Sequence, residues 1–349
     1  MSLITKAPTA TLKADQANIS KSISRPRRRT APTFRELADS YQKFEVPRLA
    51  HTTAYAVRHN LSRYILPRWS SQIAIELRPL DIEAWFEDLQ EHGLAPPTIS
   101  KLRAIMQQVY RHSQRVGLIS RSQEANPISF ARARGKSNYK PVLINPQQAF
   151  HIIEQLKPPE RTLAFLSAAT GLRISESLGL KWMDVDFAGR QIIVRRTWIQ
   201  GKVGKPKTTA SAAPVPMAET LAAVMSAWKK LTTHPGENDW VFPSTRKHGL
   251  QPREGAIAAA DHLRPAAIKA GVIPEGFVGR FGWHNFRHSI ASALINDGTN
   301  AKIVQGLLRH SRVEVTLNLY CHNIPADSLK AQERFVTTFN PASVQRSLL

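Results

Sequence analysis

Trp283-His284-Asn285-Phe286-Arg287-His288 is the stretch on which the reading of this chain turns. It sets a histidine and an arginine three positions apart, a spacing that puts both on one side of a helix. Two further stretches share its chemistry. Upstream, Thr170-Gly171-Leu172-Arg173-Ile174-Ser175-Glu176 places an arginine between a helix-ending glycine and the start of the next helical pattern. Downstream, Leu307-Leu308-Arg309-His310-Ser311 precedes Tyr320 by one short predicted helix. Two arginines, two histidines and a late tyrosine form a set suited to holding a phosphodiester while a phenolic oxygen attacks it.

Charge points the same way. The 349 residues include 48 Lys+Arg against 26 Asp+Glu, a formal +22 with histidine neutral. Such an excess repels itself in the compact state and favours a polyanionic partner. A hydrophobic content of 42% supports globular cores rather than disorder, and the length suggests two domains of ordinary size. One cysteine, Cys321, rules out an internal disulfide framework and fits a reducing compartment. No stretch approaches the ~20 apolar residues of a membrane span. The first residues are polar and basic, unlike a secretion signal. The expectation is a soluble, cytoplasmic, nucleoid-associated protein without a membrane partner.

Residues 1–32 read as a basic flexible tail ending in Arg25-Pro26-Arg27-Arg28-Arg29. Helical patterning begins at Thr33-Phe34-Arg35-Glu36, which has capping-box spacing, with Phe34, Leu37, Ala38 and Tyr41 as its apolar stripe. Further helices are expected over 52–66, stopped by Pro67, then from Pro79 to Gly93 and from Thr98 to Gly117. On the last of these Lys101, Arg103, Arg111 and Arg115 lie off the apolar stripe, facing solvent or a phosphate backbone. Residues 33–130 thus read as an all-helical domain. Residues 131–140, with Arg132, Arg134 and Lys136, read as a basic linker able to follow a phosphate backbone.

Residues 141–340 alternate, with 341–349 as a C-terminal tail. Helices are expected at 146–156, 160–170, 174–180, 218–231, 255–270, 285–297, 301–308 and 313–319. Short strands are expected at 191–196, 198–200 and 213–216, around a basic loop at 201–205 that carries Lys202 and Lys205. The fold class is mostly α, with a small antiparallel β-sheet in the second domain.

Phosphodiester transfer without a metal requires charge neutralisation on the non-bridging oxygens, an in-line nucleophile and a proton for the departing oxygen. Arg173 and Arg287 suit the first task, because a guanidinium donates two parallel hydrogen bonds and stays charged. His284 can donate to a phosphate oxygen or move a proton near neutral pH. His284 and His288 could instead share a metal, but position 285 lacks the glutamate of a zinc-protease helix and no third ligand is evident. Tyr320 is either the nucleophile or a core tyrosine; with an ordinary pKa near 10, attack depends on surrounding cations. Cys321 and His322 are adjacent and so do not face each other on a helix.

The ordered series Arg173, Lys207, His284, Arg287, His310 and Tyr320, each in its local context, resembles the tyrosine recombinase (phage integrase) family over roughly 34–335. The resemblance implies a helical core-binding domain that clamps DNA and a mixed α/β catalytic domain. It also implies a 3′-phosphotyrosyl intermediate, a Holliday junction, and no metal, ATP or other cofactor. Lys207 would protonate the leaving oxygen, His310 would donate to the phosphate, and Glu176 and His288 would support the site from behind. A homo-tetramer on two double-stranded DNA sites, with a possible accessory DNA-bending or directionality protein, follows on the same ground. In this picture residues 328–335 dock on a neighbouring protomer. Two positions depart from the family pattern: Asn285, where an acidic residue is usual, and Arg309, where glycine is usual. Arg309 either adds a DNA contact or alters the local backbone. A DNA-binding relative without chemistry, and a type IB topoisomerase-like relaxing enzyme, are the competing functions.

Overall fold

Thr33 Oγ accepts from Glu36 N, and Glu36 Oε2 accepts from Thr33 N at 2.7 Å, the reciprocal cap implied by their spacing. This opens α1 (Phe34–Phe44) in the computed structural model, which describes residues 31–135, 141–206 and 213–309. The chain divides into two units, Met1–Asn138 and Tyr139–Leu349.

In the first unit α1 is followed by α2 (His51–Asn60), α3 (Leu66–Trp69), α4 (Pro79–Glu91) and α5 (Pro96–Arg115). Their apolar faces meet in a core that includes Phe34, Leu37, Ile82, Phe86, Met106 and Tyr110. The Tyr110 hydroxyl is buried there and donates to Ala74 O at 2.6 Å, so the ring keeps its polar end satisfied. Ala131 also belongs to this core.

Pro67 does not stop the second helix. A π turn at Leu61–Ile65 joins α2 to α3, with Leu66 N–H on Leu61 O, and the helical path continues to Trp69. Pro67 then sits in the opening turn of α3, where its missing N–H leaves no helical bond unmade. The same device recurs in the second unit. There the expected helix 255–270 is α10 (Gly255–Ala258), a π turn at Ala259–Leu263, and α11 (Arg264–Lys269), with Pro265 just beyond the turn.

Before that, the second unit contains α6 (Pro146–Glu154), α7 (Glu160–Thr170), α8 (Ile174–Leu178) and α9 (Glu219–Leu231). It ends, among the described residues, in α12 (His284–Asn296) and α13 (Ala301–Leu308). A three-stranded antiparallel sheet pairs β1 (Val185–Asp186) with β2 (Gln191–Ile192) and β2 with β5 (Val215–Pro216). A separate hairpin pairs β3 (Thr197–Ile199) with β4 (Lys202–Gly204). The expected strand 191–196 is therefore shorter, and the expected loop 201–205 is mostly strand. Gln200 and Gly201, at φ 48° and 74°, form the two-residue turn with positive φ at both positions that suits the twist of a hairpin. Trp182, Phe242, Phe286 and Met225 are among the core residues beneath these elements.

Gly171 ends α7 at φ 61°, and its N–H bonds Ser167 O. A Cβ there would stand 2.5 Å from Leu308 Cδ2 and 3.3 Å from Ile290 Cγ2, so α12 and α13 can close over this turn only because the side chain is absent. Gly171→Ala is expected to lower stability by about 1–2 kcal/mol, from the left-handed backbone alone. Urea unfolding checks this; a wild-type midpoint would contradict the backbone strain.

Candidate active site

Arg173 caps the N-terminus of α8, immediately beyond the α7 turn, and Glu176 is the residue that fixes it there. Glu176 Oε2 accepts from Arg173 N at 3.0 Å, and Oε1 accepts from Arg173 Nη1 at 2.9 Å. Glu176 is buried while the Arg173 side chain remains 31% exposed. The arginine is thus held at its base, with part of its guanidinium open to solvent.

Arg287 rises from the first turn of α12 toward the same place. Its Nη1 donates to Gly171 O and its Nη2 to Leu308 O, the carbonyls at the ends of α7 and α13. Helix ends leave such carbonyls without intrahelical donors, and a cation is favourable beside them. Arg287 is itself buried, so here it ties three segments together rather than facing solvent as a free anion hook. An arginine has five N–H donors, and these two bonds orient the group without exhausting it.

His284 begins α12. Its ring meets that of His288 edge-on, with centroids 4.8 Å apart. Partial burial, and then the proximity of His288, Arg287 and Arg173, push its pKa down to about 4. The residue is nevertheless exposed, and solvent screens part of this repulsion. His288 is lowered as well, by burial and by Arg287. The shift favours the neutral ring of His284 in the free protein. Among the described residues no group of three or more His, Cys, Asp or Glu side chains could hold a metal ion.

The two departures from the family pattern have structural reasons. Asn285 is buried; its Oδ1 accepts from Gly282 N and its Nδ2 donates to Val142 O, both at 2.8 Å. An aspartate could make only the first bond. Arg309 does not reach outward toward DNA, which corrects its place among the phosphate contacts. It is 3% exposed, and its Nη2 bonds Glu176 Oε2 at 2.6 Å. Its backbone, at φ 54° and ψ 43°, caps α13 in the left-handed region where glycine is usual.

A family model, the phage integrase family, matches residues 144–326, a span of more than half the chain that includes all six positions of the ordered series. The chain belongs to the phage integrase family. Among its relatives, an integrase/recombinase of Escherichia coli is 31% identical over 208 residues, covering 52% of this chain and 60% of that protein. The chain thus spans less than two thirds of that relative's length. A tyrosine recombinase XerC-like protein of Caldanaerobacter subterraneus subsp. tengcongensis is 25% identical over 325 residues, covering 83% and 79% of the two chains. In fold, the chain resembles the Tn1549 transposon integrase in complex with a circular intermediate DNA, with a TM-score of 0.74 and 21% identity over 87% of this chain and 99% of that one. It also resembles a lambda integrase dimer bound to a COC′ core site, with a TM-score of 0.64 and 16% identity over 82% and 95%. Mostly helical units with small antiparallel sheets are therefore the architecture of this phage integrase family member.

Of the six ordered positions, Arg173, His284 and Arg287 come together around Glu176. Lys207, His310 and Tyr320 lie outside the described residues, as does Lys136. Lys101 and Arg111 are exposed on α5. Arg115 is exposed but pairs with Glu45. Arg103 is corrected to a structural role: half-buried, it donates to Ala131 O at 2.6 Å and Ile128 O at 3.2 Å. Arg132 and Arg134 are exposed, with Arg134 3.6 Å from Glu87, and Lys202 and Lys205 are exposed along and beyond β4. One basic face was missed. On α2 and its π turn, Tyr55, Arg58, His59 and Arg63 are all exposed, and Tyr55 stacks on His59 with an interplanar angle of 10°. The i, i+3, i+4 spacing of Tyr55, Arg58 and His59 was the available signal.

Two outcomes are expected. Asn285→Asp removes the donor to Val142 O and is expected to cost about 1–3 kcal/mol in urea unfolding; no loss would show that the bond is dispensable. Because the His284 pKa lies below its unfolded value, its stabilising contribution is whole above about pH 6.5 and is lost as pH falls toward 4. NMR titration of the His284 ring proton should place its midpoint below pH 5 in the free protein, and higher once a phosphate backbone is bound. A free-protein midpoint above 6 contradicts the crowding described.

Proposed function

We propose that this chain is a tyrosine-type site-specific DNA recombinase that breaks and rejoins strands through a 3′-phosphotyrosyl intermediate. The observation that supports it best is the family match over 144–326, within which His284 lies in the field of both Arg173 and Arg287. The partner is double-stranded DNA, contacted by a helical domain at 33–130 and a catalytic domain at 141–340. The tail, the 131–140 linker and the exposed α2 and α5 faces supply salt-sensitive phosphate contacts.

In this reading the scissile phosphate lies over Arg173 and Arg287, whose charge offsets that developing on the non-bridging oxygens. His284, neutral before binding, donates its N–H to the same phosphate, whose negative charge then makes proton uptake by the ring more favourable. Tyr320 attacks phosphorus as its phenolic proton passes to the neutral His284 ring, and a phosphotyrosyl bond forms as the bond to the 5′-oxygen breaks. Lys207 delivers the proton that makes that oxygen a free hydroxyl. The phosphotyrosyl link conserves the bond energy, so a hydroxyl from a second strand reverses the step without ATP. Exchange of strands in pairs passes through a Holliday junction, and two duplexes require four protomers. The solved neighbours include a lambda integrase tetramer bound to a Holliday junction, which fits that assembly. No metal or other cofactor enters this scheme, and an accessory DNA-bending protein would act outside it.

One observation favours a DNA-binding relative without chemistry: both terminal nitrogens of Arg287 are engaged by carbonyls. Incubation with a nicked half-site, followed by denaturing electrophoresis, separates the readings. A DNA-linked band should form with the wild type, vanish in Tyr320→Phe and persist in chelator. A band that survives the substitution would remove Tyr320 as nucleophile. Absence of any band would favour the binding-only reading, and relaxation of supercoiled DNA without junctions would favour the topoisomerase-like one.

A further inference from the structure

We propose that Arg309 is a positioning residue that latches the end of α13, one residue before His310, onto the carboxylate that also sets Arg173. Its geometry stands independently; its consequence for strand cleavage rests on the recombinase reading above.

The backbone at 309 is left-handed, so glycine would serve the turn without strain. An arginine in that place must contribute something glycine cannot. Its side chain turns inward rather than into solvent, and ends 2.6 Å from Glu176 Oε2. Arg309 and Glu176 are 3% and 2% exposed, so this is a desolvated pair, unlike the solvent-screened ion pairs of a surface. The same Oε2 takes Arg173 N, and the neighbouring Oε1 takes Arg173 Nη1. One carboxylate therefore fixes two parts of the chain 133 residues apart in sequence.

A second tether adjoins the first, since Arg287 Nη2 bonds Leu308 O. Residues 308 and 309 are thus held through main chain and side chain respectively, on groups that belong to the anion cradle. Displacing 309 removes a cation from Glu176, which then closes more firmly on Arg173 or leaves its own place. Either way, the geometry of Arg173 depends on where the segment leading to His310 lies. A catalytic segment out of position should leave Arg173 less well set, which links the two halves of the site before DNA arrives.

Amide hydrogen exchange on the DNA-free protein tests the latch directly, using Arg309→Gly, Arg309→Lys and Glu176→Gln. Arg309→Gly should accelerate exchange over residues 173–178 by about tenfold, as expected for coupled neighbours. Arg309→Lys should restore part of the protection, and Arg309→Gly placed on Glu176→Gln should add little. Acceleration confined to 301–309 overturns the latch, whether or not the protein cleaves DNA. If Arg309→Gly does not fold by circular dichroism, Arg309→Lys decides: wild-type protection at 173–178 overturns the proposal, and partial loss supports it. In the half-site assay Arg309→Gly should slow adduct formation about 10- to 100-fold, with DNA affinity within about twofold. A wild-type protein that forms no adduct refutes the recombinase reading and leaves exchange to judge the latch. Adduct formation by Arg309→Gly at the wild-type rate overturns the latch's part in the reaction.

Discussion

The carboxylate of Glu176 is the constraint on which this site depends. It is buried, and a lone buried anion is costly. Arg173 and Arg309 supply the compensating charge, and in doing so they are themselves placed. Arg287 completes the arrangement from the other side by bonding the carbonyls of Gly171 and Leu308. The start of α8 and the end of α13 thereby meet at one acid. Three arginines against one carboxylate leave the cluster net positive.

That surplus also explains the state of His284. Adding a proton to a ring already partly buried beside His288, Arg287 and Arg173 is unfavourable, so the free site holds it neutral. Burial works in the same direction for His288, whose edge-on contact keeps the His284 ring in place.

Much of this was legible in the sequence, for physical reasons that can be named. Thr33 and Glu36, Gly171 at a helix end, and the spacing of His284 and Arg287 are local signals that tertiary structure left intact. Other features depend on partners distant in the chain. Pro67 looks like a helix breaker until the π turn ahead of it moves the hydrogen bonding to a wider repeat. Gly201 reads as loop, yet with Gln200 it makes the tightest of hairpin turns. Arg103 lies off an apolar stripe, where a cation usually faces water, and nothing in the local pattern around Arg309 points inward. Their partners, a pair of backbone carbonyls and the Glu176 carboxylate, lie 25 to 133 residues away and leave no trace in local pattern.

Asn285 shows how such a partner can decide a residue type. An acidic side chain would satisfy Gly282 N but would bring an unpaired charge to Val142 O, deep in the fold. The amide satisfies both. One turn later on α12, Ser289 Oγ accepts from Ile144 N at 2.8 Å, so the chain opening the second unit is stitched to this helix at two successive points. The helix that presents His284 and Arg287 is therefore held by the first residues of its own unit as well as by α7 and α13. With α12 pinned on these sides, the third member of the Arg173, His284 and Arg287 cradle is positioned separately, from the start of α8, by Glu176.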